Sequence, residues 1–143
     1  TVELFRDVFK FKTRHVGPIG LTPDVLLESD SAGYVGIIDN KAYSKYSVSN
    51  DHHNRMVHNY IAGLSTYYNG TQPLTFFSYI AGGFGSKIDS QIRNVAEETG
   101  VAGSCINVHN LIELVKKTEK KQYSHEDIKR IFTVNRQILS GDL

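Results

Sequence analysis

An apolar run, Pro73–Ala81, constrains the fold of this chain more than any other stretch. It has the length of a strand, and its apolar side chains follow one another without alternation, so both faces of that strand must be covered. A glycine-rich loop follows, and an amphipathic helical pattern then opens at Ser86, which we expect to cap the helix. A buried strand leading into a helix predicts an α/β fold.

Helix and strand patterns surround this run on both sides. Val2, Phe5, Val8 and Phe9 form one helical stripe, and a helix capped by Asn50 or Asp51 carries apolar residues from Met56 to Tyr68. A strand over residues 101–108 holds Cys105, which we expect to be packed and unreactive. Two helices end the chain: Asn107–Lys117, with Leu111, Ile112, Leu114 and Val115 facing inward, and one capped by Ser124, with Ile128, Ile131, Phe132 and Ile138 packed. The order predicts a small mixed β-sheet flanked by helices.

Composition limits the class of protein. The 143 residues are 40% hydrophobic and 22% charged, as expected for one globular domain, and the single cysteine excludes an internal disulfide and fits a reducing cytoplasm. Neither a membrane-spanning run nor a secretory leader is visible. The net charge of +1 argues against tight nucleic-acid binding by this piece alone. Because the chain opens in a helical pattern with no initiator Met and no cap, we expect residues 1–143 to be one domain of a longer protein.

The stretch from Pro23 to Lys41 places charged residues where a half-buried hairpin would carry apolar ones. We predict strands over Pro23–Ser29 and Tyr34–Tyr43, joined by a turn at residues 30–33. Period-two alternation puts Asp39 and Lys41 on the same face as Val35, Ile37 and Tyr43. A buried carboxylate needs compensation, either from Lys41 or from a metal ion. Paired antiparallel, the strands would bring Asp24 and Asp39 to one end of the sheet.

Pro23-Asp24 is followed, after fourteen residues, by Asp39-x-Lys41, and this pattern resembles the PD-(D/E)xK nucleases. Four ordered segments narrow the resemblance: RHVGPIGLTPD, VGIIDNKAYS, AGGFGSKIDSQI and TGVAGSCINVHNLI. They are similar to successive parts of the FokI-type cleavage domain of type IIS restriction endonucleases. The similarity runs, with gaps, from Val2 to about Phe132.

This resemblance implies a PD-(D/E)xK core and magnesium-dependent hydrolysis of DNA, with manganese as a substitute ion. Asp24, Asp39 and the main-chain carbonyl of Asn40 would bind the metal, which polarises the phosphate and activates water. Lys41 would orient the water or stabilise developing charge. The domain would cut or nick double-stranded DNA in a bacterial cytoplasm, directed by an N-terminal recognition domain that lies outside this sequence. In the alternative interpretation, Asp24 is a turn residue and Asp39 and Lys41 form an ordinary ion pair.

The resemblance also assigns roles around this group, each with a plainer alternative. Glu3 would help to organise the metal site, or would only be a solvent-exposed residue on the side of the first helix. His53 would approach the phosphate, or be a structural histidine. DNA contacts would come from Lys87 and from Arg14 and His15, which we place in a loop before Pro23; otherwise these are surface charges.

One departure concerns pairing of two domains. At the positions where FokI-type domains carry a complementary acidic and basic pair for dimerisation, this chain has Arg55 and Asn59. Facing arginines would repel, so we expect nicking, a weak or transient dimer, or a different second subunit. Two rival functions stay open: a catalytically silent scaffold of the same fold, and a nuclease for branched DNA or RNA.

Overall fold

The computed structural model describes residues 1–16 and 22–143. They form a six-stranded sheet with the strands in chain order. The strands are β1 (Lys12–His15), β2 (Val25–Ser29), β3 (Tyr34–Asn40), β4 (Leu74–Ala81), β5 (Ala102–Asn107) and β6 (Arg136–Gln137). The helices are α1 (Asn50–Asn54), α2 (Ile88–Thr99), α3 (Val108–Lys117) and α4 (His125–Phe132), with π-helical segments at Leu4–Val8 and Arg55–Ile61 and 3-10 turns at Leu64–Thr66 and Ser140–Asp142. The predicted mixed sheet with flanking helices is confirmed.

The strand directions bring the start of β2 and the ends of β3, β4 and β5 to one edge of the sheet. β2 is antiparallel to both β1 and β3, whereas β3, β4, β5 and β6 run parallel to one another. Val25 pairs with Ile38, so the start of β2 lies beside the end of β3, and Asn40 pairs with Ile80 near the end of β4. We call this the site edge; it is defined by Asp24, Asn40, Ala81 and Asn107.

Helical layers cover both faces of the sheet. Tyr34, Ile38 and Phe76 face a cluster built from the first π-helical segment, α3 and α4. Val35 and Ile37 face the other cluster, which the second π-helical segment and α2 complete. This separation confirms the predicted alternation within β3, although the strand ends at Asn40 and not at the predicted Tyr43. β4 is the buried central strand expected from Pro73–Ala81.

The edge strands were not predicted from the sequence. Arg14 and His15 were expected in a loop but lie, together with Lys12, in β1, which pairs with β2. Ile138 was placed in the last helix, but α4 ends at Phe132 and the chain then forms β6. The predicted loop residues Gly17, Pro18 and Gly20 lie outside the described residues.

Three expectations about the helices were wrong. Ser49, not Asn50 or Asp51, caps α1, because its side chain accepts a hydrogen bond from the main-chain N–H of His52. Lys87, not Ser86, precedes α2, and no side-chain hydrogen bond caps that helix. Ile112 was expected inside but is 48% exposed.

Other local predictions are confirmed. Ser124 and Asp127 form a capping box at α4, and Cys105 is fully buried, which raises the pKa of its thiol. Within the described ranges, no helix is long and apolar enough to cross a membrane.

Candidate active site

Asp24 and Asp39 are tied together across the start of β2 and the end of β3. The main-chain N–H of Asp24 donates to Oδ1 of Asp39 at 3.3 Å, and the main-chain N–H of Asn40 donates to Oδ2 of Asp24 at 2.8 Å. The hairpin therefore fixes both carboxylates through backbone atoms, which do not depend on flexible side chains. Both predicted carboxylates lie at the site edge.

Asp39 is a buried carboxylate, with only 3% of the residue exposed. Burial raises its pKa, the ion pair with Lys41 opposes that rise, and the nearby charge of Asp24 adds to it. Its Oδ2 atom is ion-paired with the ammonium of Lys41. A buried carboxylate beside a second carboxylate is suited to binding a cation.

Lys41 supplies the positive charge nearest to this group. Its Nζ lies 2.8 Å from Oδ2 of Asp39, and its side chain is only 13% exposed. The rings of Tyr46 and Tyr79 lie 5.9 and 6.0 Å from Nζ. Sequence reasoning missed both tyrosines, since Tyr46 lies in a polar stretch without periodicity and Tyr79 lies in a run interpreted as core.

The residues present fit a hard divalent cation with few protein ligands. No group of three or more His, Cys, Asp or Glu side chains able to share a metal occurs in residues 1–16 and 22–143. Mg²⁺ needs only one or two carboxylates, because it keeps several waters and also takes substrate oxygens. Asp24 and Asp39 meet that requirement, and the main chain of Asn40 lies next to them.

Two clefts open beside these residues at the site edge. One, of about 560 Å³, is lined by Asn40, Lys41 and Tyr43 together with Ala81, Val108 and neighbouring residues. The other, of about 290 Å³, is lined by Asn40 and Glu3 with Thr1, Val2 and Val25. Glu3 therefore lies beside the site edge, but its side chain is 75% exposed.

His53 is not brought to the carboxylates. Its Nε2 lies 2.5 Å from Oε2 of Glu98 near the end of α2. The neighbouring His52 is closer to the site, since its Nδ1 lies 2.9 Å from the hydroxyl of Tyr46. Burial lowers the pKa of His52, and the charge of Lys41 lowers it further. Adjacent helical residues point about 100° apart, so an offset of one residue decides which histidine faces the site.

The predicted DNA-contacting residues lie in β1 and at the start of α2. Arg14 is in β1, and one of its guanidinium N–H groups donates to the main-chain carbonyl of Tyr67 at 3.2 Å. His15 ends β1 opposite Val25, next to Asp24, although its side chain lies outside the described structure. Lys87 is exposed at the start of α2, just after the glycine loop that leaves the end of β4.

Comparison with known proteins gives one consistent family. The family model of the FokI cleavage domain matches residues 1–139. A structure of FokI restriction endonuclease is similar with TM-score 0.82 and 20% identity, covering 96% of this chain and 27% of that chain. A structure of FokI restriction endonuclease bound to DNA gives TM-score 0.77 and 21% identity, covering 95% and 26% respectively.

These matches confirm the resemblance and the predicted fold class. A search of curated proteins found no match. The chain spans only about a quarter of the length of the two structures.

Proposed function

The chain belongs to the FokI cleavage-domain family, and from this premise we propose that it is a magnesium-dependent module that hydrolyses DNA phosphodiester bonds. The observation that carries the proposal is the buried Asp39 carboxylate, held between Asp24 and Lys41 at the site edge. An ion pair with a purely structural role needs only Asp39 and Lys41. The carboxylate of Asp24 would then only repel the buried carboxylate of Asp39.

Each residue of this group has a distinct role in the proposal. Asp24 and Asp39, with the main-chain carbonyl of Asn40, would hold Mg²⁺ or Mn²⁺. When bound, such a cation supplies Lewis-acid chemistry at the scissile phosphate. Lys41 adds a fixed ammonium, which costs little reorganisation because the side chain is already desolvated at Asp39.

The low net charge of the chain bears on how the domain would reach its DNA site. With a net charge of +1, the domain has little long-range attraction for DNA. We therefore assign choice of the DNA site to a separate recognition domain, as in a type IIS restriction or nicking endonuclease acting in the bacterial cytoplasm. Lys87, Arg14 and His15 would contact the DNA backbone, which carries no sequence information directly.

Pairing of two domains is expected to be weak. Arg55 is bound on its own helix by Asp51, with its Nη2 2.9 Å from Oδ2 of that carboxylate. This contact reduces the repulsion between two facing arginines, but it also occupies the group that would bind a second subunit. One site cuts one strand, so we expect the isolated chain to nick duplex DNA.

The decisive experiment incubates supercoiled plasmid with the purified chain at high concentration, in Mg²⁺ or in chelator. We expect conversion to nicked circles in Mg²⁺, with little linear product and none of either in chelator. Direct linearisation would show that the chain pairs efficiently. No cleavage in Mg²⁺ or in Mn²⁺, by folded protein, would contradict the proposal.

Single substitutions then assign the chemistry to the site. Asp24→Ala, Asp39→Ala and Lys41→Ala should each lower the nicking rate by at least about 100-fold. The matched control is Asp30→Ala, which changes an exposed aspartate that pairs with Lys12 at the far end of the same hairpin. Circular dichroism checks that all four variants fold. Full activity in any of the three site variants would rule out this assignment.

A further inference from the structure

The ammonium of Lys41 lies in a confined place that two aromatic rings help to shape. Tyr46 is 2% exposed and Tyr79 is 1% exposed, and their ring centroids are 5.4 Å apart. Both lie on the face of the sheet that also carries Asp39, because Asp39 pairs with Tyr79 in the parallel register of β3 and β4. We call the two rings the aromatic seat.

Tyr46 is held firmly although it lies outside the regular strands. Its main-chain N–H donates to the carbonyl of Gly83 at 2.8 Å, and its carbonyl accepts from the N–H of Gly85 at 2.9 Å. Its hydroxyl is bonded to Nδ1 of His52, and the ring of Phe84 contacts it edge-on at 6.4 Å. Backbone, hydroxyl and ring are thus each fixed by a different neighbour.

Tyr79 contributes its ring and not its hydroxyl. The hydroxyl is buried and has no hydrogen-bond partner among the residues described. A buried polar group without a partner destabilises a fold, so nothing in the packing around this hydroxyl requires tyrosine over phenylalanine. The ring, in contrast, lies beside both Lys41 and Tyr46.

From this arrangement we propose that Tyr46 and Tyr79 are positioning residues, whose rings hold the Lys41 ammonium against Oδ2 of Asp39 in the geometry that cleavage requires. Lysine has four flexible side-chain bonds, and a catalytic cation must be held in place before the reaction. The ring-to-Nζ distances of 5.9 and 6.0 Å are at the outer limit of cation–π attraction. The seat therefore acts mainly by excluding other rotamers and water, and direct attraction is secondary.

The test compares leucine and phenylalanine at both positions, because leucine removes the ring and phenylalanine removes only the hydroxyl. Tyr46→Leu and Tyr79→Leu should lower kcat for nicking by about 10- to 100-fold, with KM changed less than about threefold. Tyr79→Phe should keep kcat within about twofold of wild type, and Tyr46→Phe should retain most of it. Restoration by phenylalanine separates the ring from the hydroxyl.

A control for general loss of packing is Tyr34→Leu. Tyr34 is an equally buried tyrosine of β3 that faces the opposite core and bonds the main chain of His125. It should lower stability without a comparable loss of kcat once assays are run where every variant is folded. If the seat variants lose no more kcat than Tyr34→Leu, the positioning role is wrong.

A second readout does not depend on cleavage. In a chain with isotope-labelled lysines, ring currents should shift the side-chain methylene protons of Lys41 upfield, with the signal assigned from its absence in Lys41→Arg. The shift should be reduced in each leucine variant, which removes one of the two rings, and kept in both phenylalanine variants. An unchanged Lys41 signal in the leucine variants would overturn the inference. The inference rests on the proposed function, but absence of cleavage by wild type would refute that function alone, and the spectra would still show whether Lys41 lies against the two rings.

Discussion

Replacing Asp142 by asparagine should destabilise the folded chain by about 1–2 kcal/mol at neutral pH. The guanidinium of Arg136 in β6 donates to both carboxylate oxygens of Asp142, at 2.7 and 2.6 Å. The main-chain N–H of Leu139 also donates to Oδ2 of Asp142, at 2.7 Å. This contact closes the last turn over Ile138, which is fully buried.

The magnitude follows from the titration of Asp142. The hydrogen bonds from Arg136 lower the pKa of this carboxyl from 3.8 to about 2. At about 1.4 kcal/mol per pH unit, that difference corresponds to roughly 2.5 kcal/mol, which solvent screening reduces because the Arg136 side chain is 37% exposed. The folded-state pKa is the lower one, so the stabilisation is fully present above the unfolded-state pKa and disappears as the pH falls through the folded-state value.

The assay is urea unfolding of wild type and Asp142→Asn between about pH 3 and pH 7. Other carboxylates titrate equally in both proteins, so the difference between them isolates Asp142. We expect that difference to be constant above about pH 5 and to fall to about half near pH 3. Equal stability at neutral pH, or a difference that does not shrink in acid, would refute the reasoning.

Three further predictions concern packing and DNA contact. Gly36→Ala should destabilise by about 1–3 kcal/mol in urea unfolding, because its Cβ would lie 2.5 Å from the buried Phe76 ring, whereas Gly141→Ala meets nothing within 4 Å and serves as control. Lys87→Ala should weaken binding of labelled duplex in chelator and reduce the slope of log affinity against log salt by about 1, unlike Lys116→Ala at the far end of α3. An equal effect of both lysines would contradict a contact at the site edge. Glu3→Ala should lower the nicking rate only partly, by about tenfold or less, since its side chain is 75% exposed; complete loss would make Glu3 essential.

Local sequence signals determined much of this protein. The turn at residues 30–33 and the period-two pattern predicted over Tyr34–Tyr43 placed Asp39 on the same side as Val35 and Ile37 and near Asp24. The cap at Ser124 was also predicted, because a cap depends on residues only three positions away, whereas Asn107 was expected inside its helix and caps it instead. The PD and DxK residues carried the resemblance to the family, and the comparisons confirmed that resemblance.

Only the tertiary structure decided the surroundings of Lys41. Tyr79 lies beside it because β3 and β4 pair in one particular parallel register, and Tyr46 because an irregular segment docks on the glycine loop after β4. The strand β1 forms for a similar reason: Lys12–His15 has no alternating apolar pattern, and pairing with β2 makes it a strand. The pairing of two distant segments cannot be predicted from either segment alone, because the free energy of pairing depends on partner residues elsewhere in the chain.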